Sequence, residues 1–209
     1  DNCWVTIGKS HFYKREFFSG IEALEYVAKV YKTKERYDAY IWLIRSFNEL
    51  STLSQSEPYI TLIKNDKKFP KEFKDDFAGL YADFLLKQGL YDETIKQLEV
   101  AIALTKKKSY RARFHFILAQ LHEAKKQNKK AIFHYNKSIG LKPNYEMIFN
   151  AKIKQARLHE GSPQELAKVK RQLLKMAKDF KNEEFLDVIY YTLGELEEKE
   201  KQTPMAIRY

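Results

Sequence analysis

One cysteine, Cys3, in 209 residues cannot form an intramolecular disulfide, so neither cytosol nor periplasm is excluded as the compartment. Seven glycines and five prolines are also few, and a chain so poor in turn formers is not collagenous, low-complexity or built of tight β-hairpins. No apolar run approaches the roughly 18 residues of a membrane span, because even 77–86 is interrupted by Asp83. The glycines, at 8, 20, 79, 89, 140, 161 and 194, form no Gly-x-Gly-x-x-Gly and no phosphate loop, which argues against nucleotide binding. Acidic residues are scarce in the middle of the chain: residues 106–178 hold 19 Lys/Arg against 4 Asp/Glu, whereas 1–105 hold 15 against 16 and 179–209 hold 4 against 8.

What is present favours helix. The composition is 44% apolar and 14% aromatic, too hydrophobic for disorder, and rich in Leu, Ala, Lys, Glu, Gln and Ile. Self-similarity then sets the architecture. Trp4, Ile7, Gly8, His11, Gly20, Leu24 and Val27 recur 36 residues later as Tyr40, Leu43, Ile44, Phe47, Ser56, Ile60 and Ile63. A third set follows after another 38, Ala78, Tyr81, Ala82, Leu85, Thr94, Leu98 and Ala101, and a fourth 37 beyond, His115, Leu118, Ala119, His122, Ala131, Tyr135 and Ser138, with Pro143. This is the pattern of the tetratricopeptide repeat, a helix-turn-helix of roughly 34 residues in which positions 8 and 20 are small so that two helices can meet. Position 20 is small in all four copies, whereas Ile44 at position 8 implies a wider helix pair in the second.

The expected fold is therefore all-α: a right-handed α-solenoid of tetratricopeptide hairpins forming a single domain over 1–209. Repeats fall near 1–34, 37–70, 75–108 and 112–145. A degenerate pair covers 145–180, with Ser162 as a cap and a seam of Leu166, Val169, Leu173, Met176 and Phe180. A partial repeat at 187–209 restores positions 4, 7 and 8 as Tyr190, Leu193 and Gly194 and reaches position 23 at Tyr209. Opening at position 1 of one repeat and stopping inside another, the chain reads as a segment of a longer array.

No catalytic constellation is visible. His115 and His122 stand seven apart, two helical turns, rather than the four of His-Glu-x-x-His. His11 and His122 occupy position 11, where the repeat favours Tyr, and read as packed rings with a satisfied polar edge. Cys3, beside Trp4, reads as a core residue without a catalytic companion. Neither a metal nor a cofactor is implied.

Binding surfaces follow from the repeat. Positions 2, 5, 9 and 12 of each first helix face the concave side: Asn2, Val5, Lys9 and Phe12; Asp38, Ile41, Arg45 and Asn48; Asp76, Gly79, Asp83 and Leu86; Arg113, Phe116, Gln120 and Glu123. Position 5 is not the Lys or Asn that grips a terminal carboxylate, so a longer segment with apolar anchors is expected, held by Lys9, Phe12, Ile41, Arg45, Asp83, Phe116 and Gln120. Lys168, Arg171, Lys175 and Lys178, spaced 3, 4 and 3, form a basic stripe on one helical face. With no aromatic partners evident beside it, the stripe suits an acidic protein or a membrane surface better than nucleic acid.

The string from Gly8 to Tyr31, GKSHFYKREFFSGIEALEYVAKVY, resembles the first periplasmic repeat of the PorW/SprE family, tetratricopeptide lipoproteins of the Bacteroidota type IX secretion and gliding machinery. The resemblance continues through AYIWLIR from Ala39, FHFILAQL from Phe114 and NAKIKQAR from Asn150, and covers essentially the whole chain. It implies a non-enzymatic scaffold in the periplasm, attached to the outer membrane by a lipid on an upstream cysteine. Its expected partners are subunits of the trans-envelope ring and motor complex and of the outer-membrane translocon. Nucleic acid is not expected, and membrane contact would come only through that outside anchor. A generic cytosolic tetratricopeptide adaptor is the alternative reading of the same repeats.

Overall fold

The computed structural model describes residues 3–200 and 203–208, and every regular element among them is helical. Six helices form three hairpins: α1 (Cys3–Tyr13) with α2 (Phe17–Val30), α3 (Lys34–Glu49) with α4 (Leu53–Asn65), and α5 (Lys74–Lys87) with α6 (Tyr91–Leu104). Further along come α7 (Lys108–Ala124), α8 (Asn128–Gly140), α9 (Tyr145–Arg157), α10 (Pro163–Ala177), α11 (Leu186–Lys199) and α12 (Thr203–Arg208). Short 3-10 segments at Lys71–Phe73 and Phe180–Phe185 join two of the connections. The chain divides into two compact units, one ending at Tyr110 and the other beginning at Arg111.

Small side chains set the closeness of each hairpin. In the first, a Cβ on Gly8 would stand 2.5 Å from Leu24 Cγ, and one on Gly20 would stand 3.1 Å from the Gly8 carbonyl oxygen. Only glycine fits the Gly8 approach without moving Leu24, which is fully buried. Ser56, Thr94 and Ala131 at position 20 are fully buried too, and so is Ala119 at position 8. Ile44, at position 8 of the second copy, is fully buried as well. Its side chain turns into the core formed with Ile60, Ile63 and Phe84, and the Ser56 hydroxyl still reaches the Ile44 carbonyl at 3.4 Å.

Each hairpin also turns in the same way. Arg15, Ser51, Gly89 and Lys126 all occupy repeat position 15, and all adopt left-handed φ values of 63°, 57°, 75° and 56°. The backbone N–H of position 16 donates to the carbonyl of position 11 in every copy: Glu16 to His11, Thr52 to Phe47, Leu90 to Leu85 and Gln127 to His122. Position 15 donates to position 12 alongside it, which is the Schellman closure of a helix C-terminus. In three of the four copies a side chain other than glycine adopts that strained conformation.

The cores are shared between neighbours, as an α-solenoid requires. Val5, Leu24 and Val27 of the first hairpin pack on Ala39, Leu43 and Phe47 of α3. In the second unit, Ala119, Ala131 and Tyr135 pack on Ala151, while Phe149, Ile153, Leu166 and Leu173 close on Ile189, Leu193 and Leu196. Ser162 caps α10 and forms a capping box with Glu165. Two expectations fail locally. Phe180 leaves the α10 seam, because the helix ends at Ala177 and the ring is 81% exposed in the following 3-10 segment. Asn182 turns inward instead, donating to the Met176 carbonyl at 2.8 Å and accepting from Tyr145 Oη at 2.6 Å. Cys3 is exposed rather than core, and Trp4 beside it is 44% exposed.

Candidate functional site

In the first unit, three of the expected binding residues, Lys9, Phe12 and Arg45, gather around Trp42, which directly follows Ile41 on α3. Phe12 and Tyr13 meet the indole edge-on, with centroids 5.3 and 5.6 Å away. Two cations flank the same ring, Arg45 at 4.6 Å and Lys9 at 5.5 Å from its centroid. Trp42 stays half-buried and Tyr13 is largely exposed, so an aromatic and cationic platform reaches the surface.

Its charges are tied to the next repeat. Lys9, at position 9, pairs with Asp38, at position 2 of the following copy, at 2.6 Å. Arg45, again at position 9, stands 4.0 Å from Asp76, again at position 2, and Lys107 approaches Asp76 at 3.6 Å. Charges expected to point at a partner therefore also form a ladder between repeats, and a half-exposed pair of this kind contributes about 0.2–1 kcal/mol. Asp83 accepts from Asn48 Nδ2 at 3.0 Å. Asn48, expected in the groove, is buried: it donates to the Leu80 carbonyl at 3.1 Å and accepts from the Ser56 hydroxyl at 2.8 Å. Ile41 is a further correction. At 2% exposure it lies in the core with Ile44, Leu80 and Phe84, because position 5 turns toward the neighbouring hairpin, and it is closed to a partner.

In the second unit, Phe116 is half-buried and meets Tyr135 edge-on at 5.4 Å, packed on Ala119, Ala131 and Ala151. Gln120 is exposed. Burial, with a hydrogen bond from Tyr135 Oη to Glu123 at 2.7 Å, pushes the Tyr135 phenol well above its ordinary range. Lys168, Arg171 and Lys175 on α10, and Lys178 just beyond its C-terminus, are all exposed. Lys170, absent from that stripe, faces α11, pairs with Glu197 at 2.8 Å and also bonds Glu200.

The histidines form a cluster that their sequence spacing does not reveal. His134 of α8 inserts between His115 and His122 of α7, its Nδ1 3.1 Å from His115 Nδ1 and its ring stacked on His122 at 5.3 Å. Desolvation by burial lowers the His134 pKa to about 4, and His115, His122 and Lys130 add to the effect. Burial lowers His115 as well, with Arg111 and Lys137 contributing. At position 11 the polar edges are satisfied as expected, His122 by Gln127 at 2.8 Å and His11 by Glu16 at 2.6 Å. Among the described residues no three His, Cys, Asp or Glu side chains are placed to hold a metal ion, and no helix is long and apolar enough to cross a membrane.

No protein-family model matches the sequence, and no curated protein matches it. Solved structures do. The nearly identical TPR-like repeats of a Podosopora anserina chain described as a kinesin light chain match with a TM-score of 0.62 at 14% identity, over 85% of this chain and 93% of that one. A Pyrococcus horikoshii signal transduction ATPase with numerous domains, carrying a tetratricopeptide repeat sensor, matches with a TM-score of 0.55 at 13% identity over 98% of this chain. This chain spans 41% of that protein's length. Likeness at such identities speaks for the fold alone, and with four copies of the same small buried position 20 and the same left-handed turn it makes this chain an all-helical array of tetratricopeptide-type hairpins.

Proposed function

We propose that this chain is a non-enzymatic protein-interaction scaffold, and that it works in type IX secretion as a periplasmic link between the ring and motor complex and the outer-membrane translocon. The observation that carries the scaffold reading is the Trp42 platform. An indole flanked by Phe12, Tyr13, Lys9 and Arg45 offers rigid apolar area beside cations, the composition that dominates protein-binding hot spots. A partner segment would lay an apolar side chain on Trp42 and bring carboxylates toward Arg45 and Lys9. The secretion setting rests on the sequence resemblance quoted above, together with attachment through a lipid outside this chain.

The experiment is affinity capture from a Bacteroidota envelope extract, with the wild-type chain and Trp42→Ala as baits and mass spectrometry of what is retained. Ring or translocon subunits should be held by the wild type and lost or strongly reduced in the variant. Retention of neither class by the wild type would sink the secretion reading, and equal retention by both baits would remove Trp42 from the binding surface.

A further inference from the structure

A cleft of about 810 Å3 opens in the second unit, running over α9 between α8 and α10. Its α8 wall presents Ile132 and Ile139, seven residues apart and so on one helical face, and its α10 wall presents Val169 and Met176, spaced the same way. All four are half-buried, so their apolar surface remains open toward the cleft. The rim is basic: Lys152, Lys175 and Lys178 line it, and Asp179 is its one acidic lining residue among those described.

Helix α10 distributes its cations unevenly. Lys170 faces α11 and is neutralised there by Glu197 and Glu200. Lys175 and Lys178 stand at the cleft mouth, exposed, with no acidic partner within salt-bridge distance among the described residues. An apolar trough between two helices, edged by unneutralised lysines, is complementary to a helix with one apolar face and carboxylates on its flanks.

We propose that this cleft docks an acidic amphipathic helix of a partner protein. The apolar side chains of that helix, at i, i+3, i+4 and i+7, meet Ile132, Ile139, Val169 and Met176, and its flanking Glu and Asp meet Lys152, Lys175 and Lys178. The shape disfavours a bilayer, which is too flat to reach apolar walls recessed between helices. The lining disfavours single-stranded nucleic acid, because no Phe, Tyr or Trp is there to stack a base. The surface is separate from the Trp42 platform and does not depend on it.

The test is fluorescence anisotropy with a labelled, end-blocked helical peptide of about four turns. It carries Leu at i, i+3, i+4 and i+7 and Glu at most other positions. The control is a scrambled peptide of the same composition with its leucines dispersed around the helix. The wild-type chain should bind the amphipathic peptide saturably and the scrambled one several-fold more weakly. Lys175→Glu/Lys178→Glu, both exposed and checked for folding by circular dichroism, should weaken binding about tenfold, mainly through the on-rate. Met176→Ala should weaken it through the off-rate, and Trp42→Ala should leave it unchanged. The proposal is overturned by any one of four results: no saturable binding, equal binding of the scrambled peptide, indifference to the double reversal, or displacement of the peptide by phosphatidylglycerol vesicles or single-stranded RNA at lower concentration than by unlabelled peptide.

Discussion

Acidification should loosen the second unit well before its carboxylates titrate, and the histidine cluster sets the size of the effect. The fold holds His134 neutral, with a pKa of about 4 against an ordinary value of 6.5. The unfolded chain therefore takes up that proton first. Stability is level above about pH 6.5, falls as the pH drops from there toward about 4, and is level again below, as far as this group is concerned. At roughly 1.4 kcal/mol per pH unit the full loss would be about 3 kcal/mol, and solvent reaching the half-buried rings reduces it to about 1–2 kcal/mol. The geometry explains why the fold resists the charge. His115 Nδ1 and His134 Nδ1 at 3.1 Å can share one hydrogen but not hold two, and Arg111, Lys130 and Lys137 surround them with like charge. The carboxylates held low by hydrogen bonds, Glu35, Asp66 and Glu165, lose their contribution only in more acid solution. Urea unfolding of the wild type and His134→Phe at about pH 7.5, 6 and 5 isolates the effect, because phenylalanine keeps a ring against His122 and removes the titration. The wild type should lose about 1 kcal/mol more than the variant between the first and last of these conditions. Parallel decline of the two proteins would refute the assignment to His134.

Four further outcomes follow from the packing. Ala131→Leu, at a fully buried position 20 against Ala119, should destabilise by about 1–3 kcal/mol through overpacking, read as a lower unfolding midpoint. Ser51→Gly and Lys126→Gly should each raise that midpoint, by up to about 1 kcal/mol, because glycine relieves the left-handed strain at position 15; a drop would contradict the turn assignment. Asn182→Ala should cost about 1 kcal/mol by removing two hydrogen bonds, although the Met176 carbonyl keeps the Asp179 N–H, and thermal unfolding checks it. Phe116→Ala should lower the unfolding midpoint whether or not it affects a partner, since its ring packs on Tyr135; unchanged stability would contradict that packing.

The helical class, the hairpin register and the small buried residue at position 20 of each copy were legible in the amino-acid pattern alone. These depend on residue size and polarity repeating at helical spacing, which local physics reads directly. The pattern also located the Ser162 cap, where the capping residues are near neighbours in the chain. The common left-handed turn was hidden, because Arg15, Ser51 and Lys126 carry no glycine to announce it and only the Schellman bonds around them reveal it. Which candidate residues face outward depends on packing between helices. Ile41 and Asn48 turned into the core because a first helix packs on two neighbours at once, a geometry that one-dimensional periodicity does not resolve. That packing also sets the pairings. Lys9 with Asp38, Arg45 with Asp76 and Lys170 with Glu197 join residues 27 or more positions apart, and His134 enters between His115 and His122 from a separate helix. Such contacts arise where stacked hairpins bring distant positions within a few ångströms, and whether a surface charge is neutralised or left for a partner is settled at that distance.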